Sequence, residues 1–207
     1  VLKNEDWKRM LLSASKVLED NEDMLTQLDS ATGDGDHGIT IKKIADVIRH
    51  ETEAWIEGQS LKSLLGSASF KIMNVKGGSA GPLWGTMFEG FSEGAAEQDE
   101  INTEDLRRMF TGSLKSLSEI STAKVGEKTM MDALVPAVKA IEESKGNIED
   151  MLAEAAKAAK EGADNTENYI AKFGRAKTLK EKSLGHKDPG AVSLSLFIEG
   201  LALGARK

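Results

Sequence analysis

Cysteine is absent from the 207-residue chain. Disulfides and thiolate metal sites are therefore excluded, which fits a reducing compartment. No uninterrupted apolar run approaches the roughly 18–20 residues of a membrane span, and the charged N-terminal stretch has no signal-peptide core. The expectation is a soluble, cytoplasmic protein that meets no membrane. Basic charge is scarce too: 27 Lys and Arg against 34 Asp and Glu leave a formal charge of −7. That balance argues against a nucleic-acid role, which usually shows a basic face. Strand alternation, internal repeats, low-complexity tracts and linkers are also missing. What is there is a single domain over residues 1–207, with helical periodicity along most of its length.

The apolar residues Trp7, Met10, Leu11, Ala14, Leu18, Leu25 and Leu28 predict a first helix over about residues 4–28. A second follows from Asp36 to about residue 55, and a third, capped by Ser60, carries Leu61, Leu64, Leu65, Ala68 and Ile72. Pro82 suits the first position of a fourth, and Asn102 or Thr103 opens a fifth. A sixth runs over about residues 129–143 with Pro136 inside it, where a kink or a delayed start is expected. Asn147 caps a seventh reaching about residue 169, and Asp188-Pro189 starts an eighth. Eight helices joined by mostly short loops predict an all-α, antiparallel up-down bundle or barrel. The polar, Lys-rich stretch from about residue 173 to 187 is expected to be a mobile cover.

Chemistry concentrates in Asp29-Ser-Ala-Thr-Gly33-Asp34-Gly35-Asp36-His37-Gly38-Ile39-Thr40. Three crowded carboxylates repel one another unless a cation sits among them, and hard ions such as Mg²⁺ or Ca²⁺ take oxygen ligands of this kind. Asp36 is a good N-cap, so His37, Gly38, Ile39 and Thr40 would start a helix whose free N–H groups and positive dipole end suit a phosphate. A solvated Asp-Gly turn is the plain alternative. An EF-hand is excluded: counted from Asp34, Ile39 stands where the glycine belongs and Ala45 where the bidentate Glu belongs.

Three more glycine-bearing loops precede predicted helices. Gly77-Gly78-Ser79-Ala80-Gly81-Pro82 could bring backbone N–H groups and a hydroxyl close to a ligand, or serve as a helix–helix junction. Gly126-Glu127-Lys128-Thr129 imitates the tail of a P-loop, but a residue separates Gly from Lys and no strand precedes it, so it is not a Walker motif. Gly185-His186-Lys187-Asp188-Pro189-Gly190 is an ordinary helix start, which leaves His186 and the upstream Arg175 unexplained. In an up-down bundle, the loops preceding helices two, four, six and eight share one end. The four loops therefore converge, and an acidic chain holding a polyphosphate there would need metal between the phosphates and the aspartates.

Together these motifs, in unbroken order over about residues 4–204, resemble the DhaL family, the nucleotide-binding subunits of phosphotransferase-dependent dihydroxyacetone kinases. The resemblance implies an eight-helix barrel with a nucleotide at one rim. It implies that Asp29, Asp34 and Asp36 are ligands of two Mg²⁺ ions and, with Arg175 of the cover, the catalytic set. It assigns nucleotide contacts to His37, Gly38, Ile39, Thr40, Ser79, Ala80, Ser121, Met130, Arg175, Asp188, Pro189 and Gly190, with Met130 on the adenine side. ADP would stay bound as a coenzyme, be converted to ATP by the phosphohistidine of a DhaM-type subunit, and pass its phosphoryl group to dihydroxyacetone on a DhaK-type subunit. The resemblance leaves room for a homodimer. Departures are Ala80 where Ser is frequent, Met131 where Cys is frequent, and Ser121 at a position expected to be Gly.

The implied chemistry is phosphoryl transfer by positioning and charge neutralisation, without a protein nucleophile. Covalent catalysis by His37 is a minor alternative. Two rival functions stay open at this level: the nucleotide domain of an ATP-dependent kinase for dihydroxyacetone or another substrate, and a nucleotide-loaded regulatory interaction protein.

Overall fold

The computed structural model describes residues 1–56, 58–97 and 100–206. The described residues form a ring of helices: α1 (Asn4–Asp20), α2 (Glu22–Thr32), α3 (His37–Glu53), α4 (Leu61–Met73), α5 (Ala80–Gly94), α6 (Thr103–Ile120), α7 (Met131–Glu143), α8 (Ile148–Asn165) and α9 (Pro189–Ala205). Each packs on its neighbours in sequence, and α9 closes the ring against α1. The expected all-α barrel is what the chain forms. One small addition is a two-residue antiparallel pair, β1 (Leu2–Lys3) with β2 (Glu100–Ile101).

The first predicted helix is two helices. Asn21 interrupts it with φ −107° and ψ 13°, and its side-chain amide donates to the Val17 carbonyl at 2.8 Å, which satisfies the end of α1. α2 then runs to Thr32, four residues past the expected end, so Asp29 stands on helix rather than loop. The Ser60, Asn102, Asn147 and Asp188 caps form as expected, each accepting a backbone N–H of the first turn. α5 begins at Ala80, which puts Pro82 third rather than first. α8 stops at Asn165 and gives way to a 3-10 turn, Thr166–Asn168. Pro136 lies inside α7, where it cannot donate to the Asp132 carbonyl. Gly162 of α8 packs on that carbonyl: a Cβ there would lie 2.0 Å from it.

The interior is filled by rings that support the site end. Trp84 meets Phe197 edge-on at 5.5 Å, and Phe88 bridges Phe197 and Phe91 at 5.6 and 6.1 Å. α9 is apolar nearly all round and buried accordingly. Its closure on α1 depends on small residues: a Cβ on Gly200 or Gly204 would sit 2.4 Å from the Cα of Ala14 or 2.6 Å from that of Met10.

Candidate functional site

At the end of the ring where α3, α5, α7 and α9 begin, the connecting loops enclose a cavity of about 490 Å³. That volume lies within the roughly 300–1,000 Å³ of small-molecule sites. All four glycine-bearing loops contribute walls, as do the ends of α2 and α6 and residues 173–176 of the cover.

The acidic side is built by α2 and the start of α3. Oxygens of Asp29, Asp34 and Asp36 lie within 4.8 Å of one another. Asp36 occupies the N-cap position of α3, but its side chain makes no capping bond. Asp29 does that work from the last turn of α2: its Oδ2 accepts the N–H of Asp36 at 2.9 Å and of His37 at 3.2 Å. The Asp36 carboxylate is thereby left for the cluster. Gly33 and Gly35 fit the turn between them: a Cβ on Gly33 would strike Asp29 Oδ1 at 2.4 Å, and Gly35 has φ +74°. Across the mouth, the Arg175 guanidinium pairs with Asp34.

The second loop is locked to the first. A side chain on Gly77 (φ +147°) would collide with Thr40 Oγ1 at 2.0 Å, so the Gly-Gly turn lies flush against α3. Ser79 stands at the N-cap of α5 without bonding the backbone, and it faces the cavity with Ala80. His37 is gripped from α9, its Nε2 lying 2.9 Å from Ser193 Oγ. Burial pushes the imidazole down to about 4, against the opposing influences of Asp29 and of its own hydrogen bond to the Pro189 carbonyl. The ring is neutral at pH 7.

The third and fourth loops meet around buried charges. Asp132, inside the first turn of α7, accepts Gly126 N–H at 2.6 Å and Thr129 N–H at 2.7 Å. Burial raises its pKa, and those backbone donors pull it back. Lys128 is 3% exposed and has φ 63°, a left-handed backbone unusual for a residue with a side chain. Its Nζ donates to the carbonyl of Thr166 at 2.5 Å and to that of His186. Desolvation lowers this amine's pKa. Asp188 caps α9, and burial raises its carboxyl to about 7, against the Ala191 N–H and with the repulsion of Asp132. A smooth apolar wall of Leu117, Ile120, Met130 and Phe173 completes the cavity.

Of the residues singled out in the sequence, Asp29, Asp34, Asp36, His37, Thr40, Ser79, Ala80, Ser121, Met130, Arg175, Asp188, Pro189 and Gly190 line this cavity. Gly38 and Ile39 do not. A Cβ on Gly38 would lie 2.1 Å from the Glu22 carbonyl, so this glycine lets α2 and α3 touch, and the Ile39 side chain is 47% exposed. Either residue can turn only backbone N–H groups of the first turn inward. Lys128 and Asp132 stand in or beside the loop singled out in the sequence but were given no role there, and Ser193 was not singled out. Thr129-Met-Met-Asp132 before an apolar run carries a capping-box signature that could have flagged Asp132. Nothing in the local pattern announces the Lys128 contacts, which are made to segments 38 and 58 residues away.

The fold and its rim define an all-helical domain with one composite acidic and glycine-rich cavity. Residues 31–203 match the DAK2 domain. The chain is 32% identical over 200 residues to the "PEP-dependent dihydroxyacetone kinase 1, ADP-binding subunit DhaL" of Listeria innocua, covering 96% of each protein. It is 29% identical over 200 residues to the corresponding DhaL subunit of Escherichia coli, covering 95% of both. The dihydroxyacetone kinase of C. freundii, solved with AMP-PNP and Mg²⁺, superposes with a TM-score of 0.71 at 28% identity. That match takes in 95% of this chain but only 33% of the longer kinase. The chain belongs to the DAK2 domain family and, within it, to the DhaL group of phosphotransferase subunits.

Proposed function

We propose that this chain is the nucleotide-holding subunit of a cytoplasmic dihydroxyacetone kinase. It keeps Mg-ADP as a coenzyme, accepts a phosphoryl group from the phosphohistidine of a DhaM-type subunit, and delivers it to dihydroxyacetone on a DhaK-type subunit. One observation carries the reading: the three-carboxylate cluster opens into the same cavity as three further glycine-bearing helix starts. The likeness over nearly the whole chain to DhaL subunits supports the reaction.

The donor set fits the ion. Three carboxylates within 4.8 Å are an all-oxygen site for a hard cation. Asp29, Asp34 and Asp36 would hold two Mg²⁺ ions, which supply neutralisation of phosphate charge and polarisation of the transferred group. The rest falls to the chain. The first-turn N–H groups of α3 that Asp29 leaves uncapped, with the helix dipole, suit phosphate oxygens. Ser79, free of capping duty, offers a hydroxyl from the opposite loop. Met130, Leu117, Ile120 and Phe173 give a base an apolar face. His37, neutral and held by Ser193, orients ligands without adding charge. Arg175 brings a cation from the cover to the aspartate end, where charge develops during transfer.

Native mass spectrometry of the purified protein should find one ADP and two Mg²⁺ per chain. Asp34→Ala and Asp36→Ala should lose both while the helical circular dichroism survives. Retention at wild-type affinity in either variant would refute the site. Phosphorylated DhaM-type protein should convert the bound ADP to ATP. Rapid exchange with free ATP would favour an ATP-dependent kinase domain instead, and failure of charging would favour an interaction protein.

A further inference from the structure

The segment between α8 and α9 leaves and re-enters the barrel through a narrow neck. At the neck, Gly185 N–H donates to the Glu167 carbonyl at 2.7 Å, and Asp188 N–H donates to Thr166 Oγ1 at 2.8 Å. These bonds close the two feet on each other. They do not fix where the neck sits relative to the α7 loop. Between the feet, Phe173 to Ala176 reach over the cavity and Arg175 pairs with Asp34 on its far side.

We propose that Lys128 is the positioning residue that fastens both feet of this cover to the α7 loop, holding residues 169–184 across the mouth. One buried ammonium donates to Thr166 at the outgoing foot and to His186 at the returning foot. Its left-handed backbone is maintained in a loop that Asp132 braces from both sides, with N–H bonds from Gly126 and Thr129. Strained φ values persist where surrounding structure over-determines them, and they gather at ligand clamps. The outer bonds are weaker: backbone Lys172 N–H to the Glu127 carbonyl at 3.2 Å, and an ion pair between the side chains of the same two residues at 3.5 Å. Without the ammonium, the buried Thr166 carbonyl and the His186 carbonyl lose their donor, and the neck loses its side-chain tie to the α7 loop. On the nucleotide reading above, the consequence is residence time: Lys128 keeps a nucleoside diphosphate from leaving.

The test compares wild type with Lys128→Met, which removes the charge, and Lys128→Gly, which also relieves the backbone. Release of mant-ADP in Mg²⁺ is followed by stopped flow, and cover opening by tryptic cleavage at Arg175, Lys177, Lys180 and Lys182. Both variants should release mant-ADP about tenfold faster or more and be cut faster with or without nucleotide, while keeping helical circular dichroism and cooperative melting. Because the chain has no other cysteine, Lys128→Cys can be aminoethylated in urea and refolded, which restores a lysine-like amine on the same polypeptide. The amine should restore slow release and slow cleavage, a rescue that a purely structural defect would not give. Wild-type release and cleavage rates in the Met and Gly variants, or in the unmodified Cys variant should those two not fold, would overturn the clasp. A wild-type protein that binds no mant-ADP would sink the nucleotide reading alone, since cleavage of the ligand-free chain still reports the clasp.

Discussion

Carboxylates of the same cavity carry different structural loads. Asp29 joins the cation cluster and also caps α3, so Asp29→Ala should cost roughly 0.5–2 kcal/mol of folding stability in addition to any loss of ligand. Asp34 is 44% exposed at the side chain and, among the described residues, forms an ion pair only with the exposed Arg175, an interaction worth roughly 0–1 kcal/mol. Urea midpoints in metal-free buffer should therefore fall for Asp29→Ala and barely move for Asp34→Ala. Asp188 offers a pH signature. Its carboxyl lies at about 7 in the folded chain, well above the ordinary 3.8, because burial disfavours the charge. The folded state thus holds this proton more tightly than the unfolded one, and the group's contribution to stability declines as pH rises from about 4 to about 7. Asp188→Asn can still accept the Ala191 N–H and removes that slope. The variant should match wild type in urea midpoint near pH 4 and exceed it at pH 8. A wild-type-like pH profile in the variant would contradict the buried charge.

At the scale of the element, the closing contact of the ring is its least tolerant. Gly200 lets α9 approach α1 so closely that a methyl group would sit 2.4 Å from backbone. Gly200→Ala should destabilise despite the better helix propensity of alanine, by about 1–3 kcal/mol if the helices separate to relieve the overlap. Helix identities were legible because the core stripe has helical period, and the caps at Ser60, Asn102, Asn147 and Asp188 were legible because their chemistry is local. The break at Asn21 was not: Leu18 and Leu25 stay buried on either side of it, and the apolar stripe passes through without a gap. Asp36 was assigned the cap that Asp29 makes because a residue seven positions earlier, on another helix, cannot be seen from spacing. The role of Lys128, though its loop was singled out, was hidden for the same reason.

For the whole molecule, alternation of direction is what turns four weak motifs into one site. Each loop alone has an ordinary explanation, yet helices that alternate up and down must place every second connection at one end, and the lining of the 490 Å³ cavity follows that count. This part of the site was legible without knowing a single side-chain contact, because it depends on topology alone. The same logic separates the two ends experimentally. Inserting four Gly/Ser residues after the exposed Lys145, in the α7–α8 connection, lengthens a loop at the opposite rim. The entropic cost is small, about 0.6 kcal/mol for a doubling of loop length. The same insertion between Gly77 and Gly78 costs as little in chain entropy but lifts the turn away from Thr40, against which Gly77 is seated. Both variants should fold, with helical circular dichroism and cooperative melting retained. Calorimetric titration with Mg-ADP should then give wild-type affinity after Lys145 and a loss of at least tenfold between Gly77 and Gly78. Equal loss in the two would mean that nucleotide affinity depends on the barrel as a whole rather than on the rim where the even-numbered connections meet.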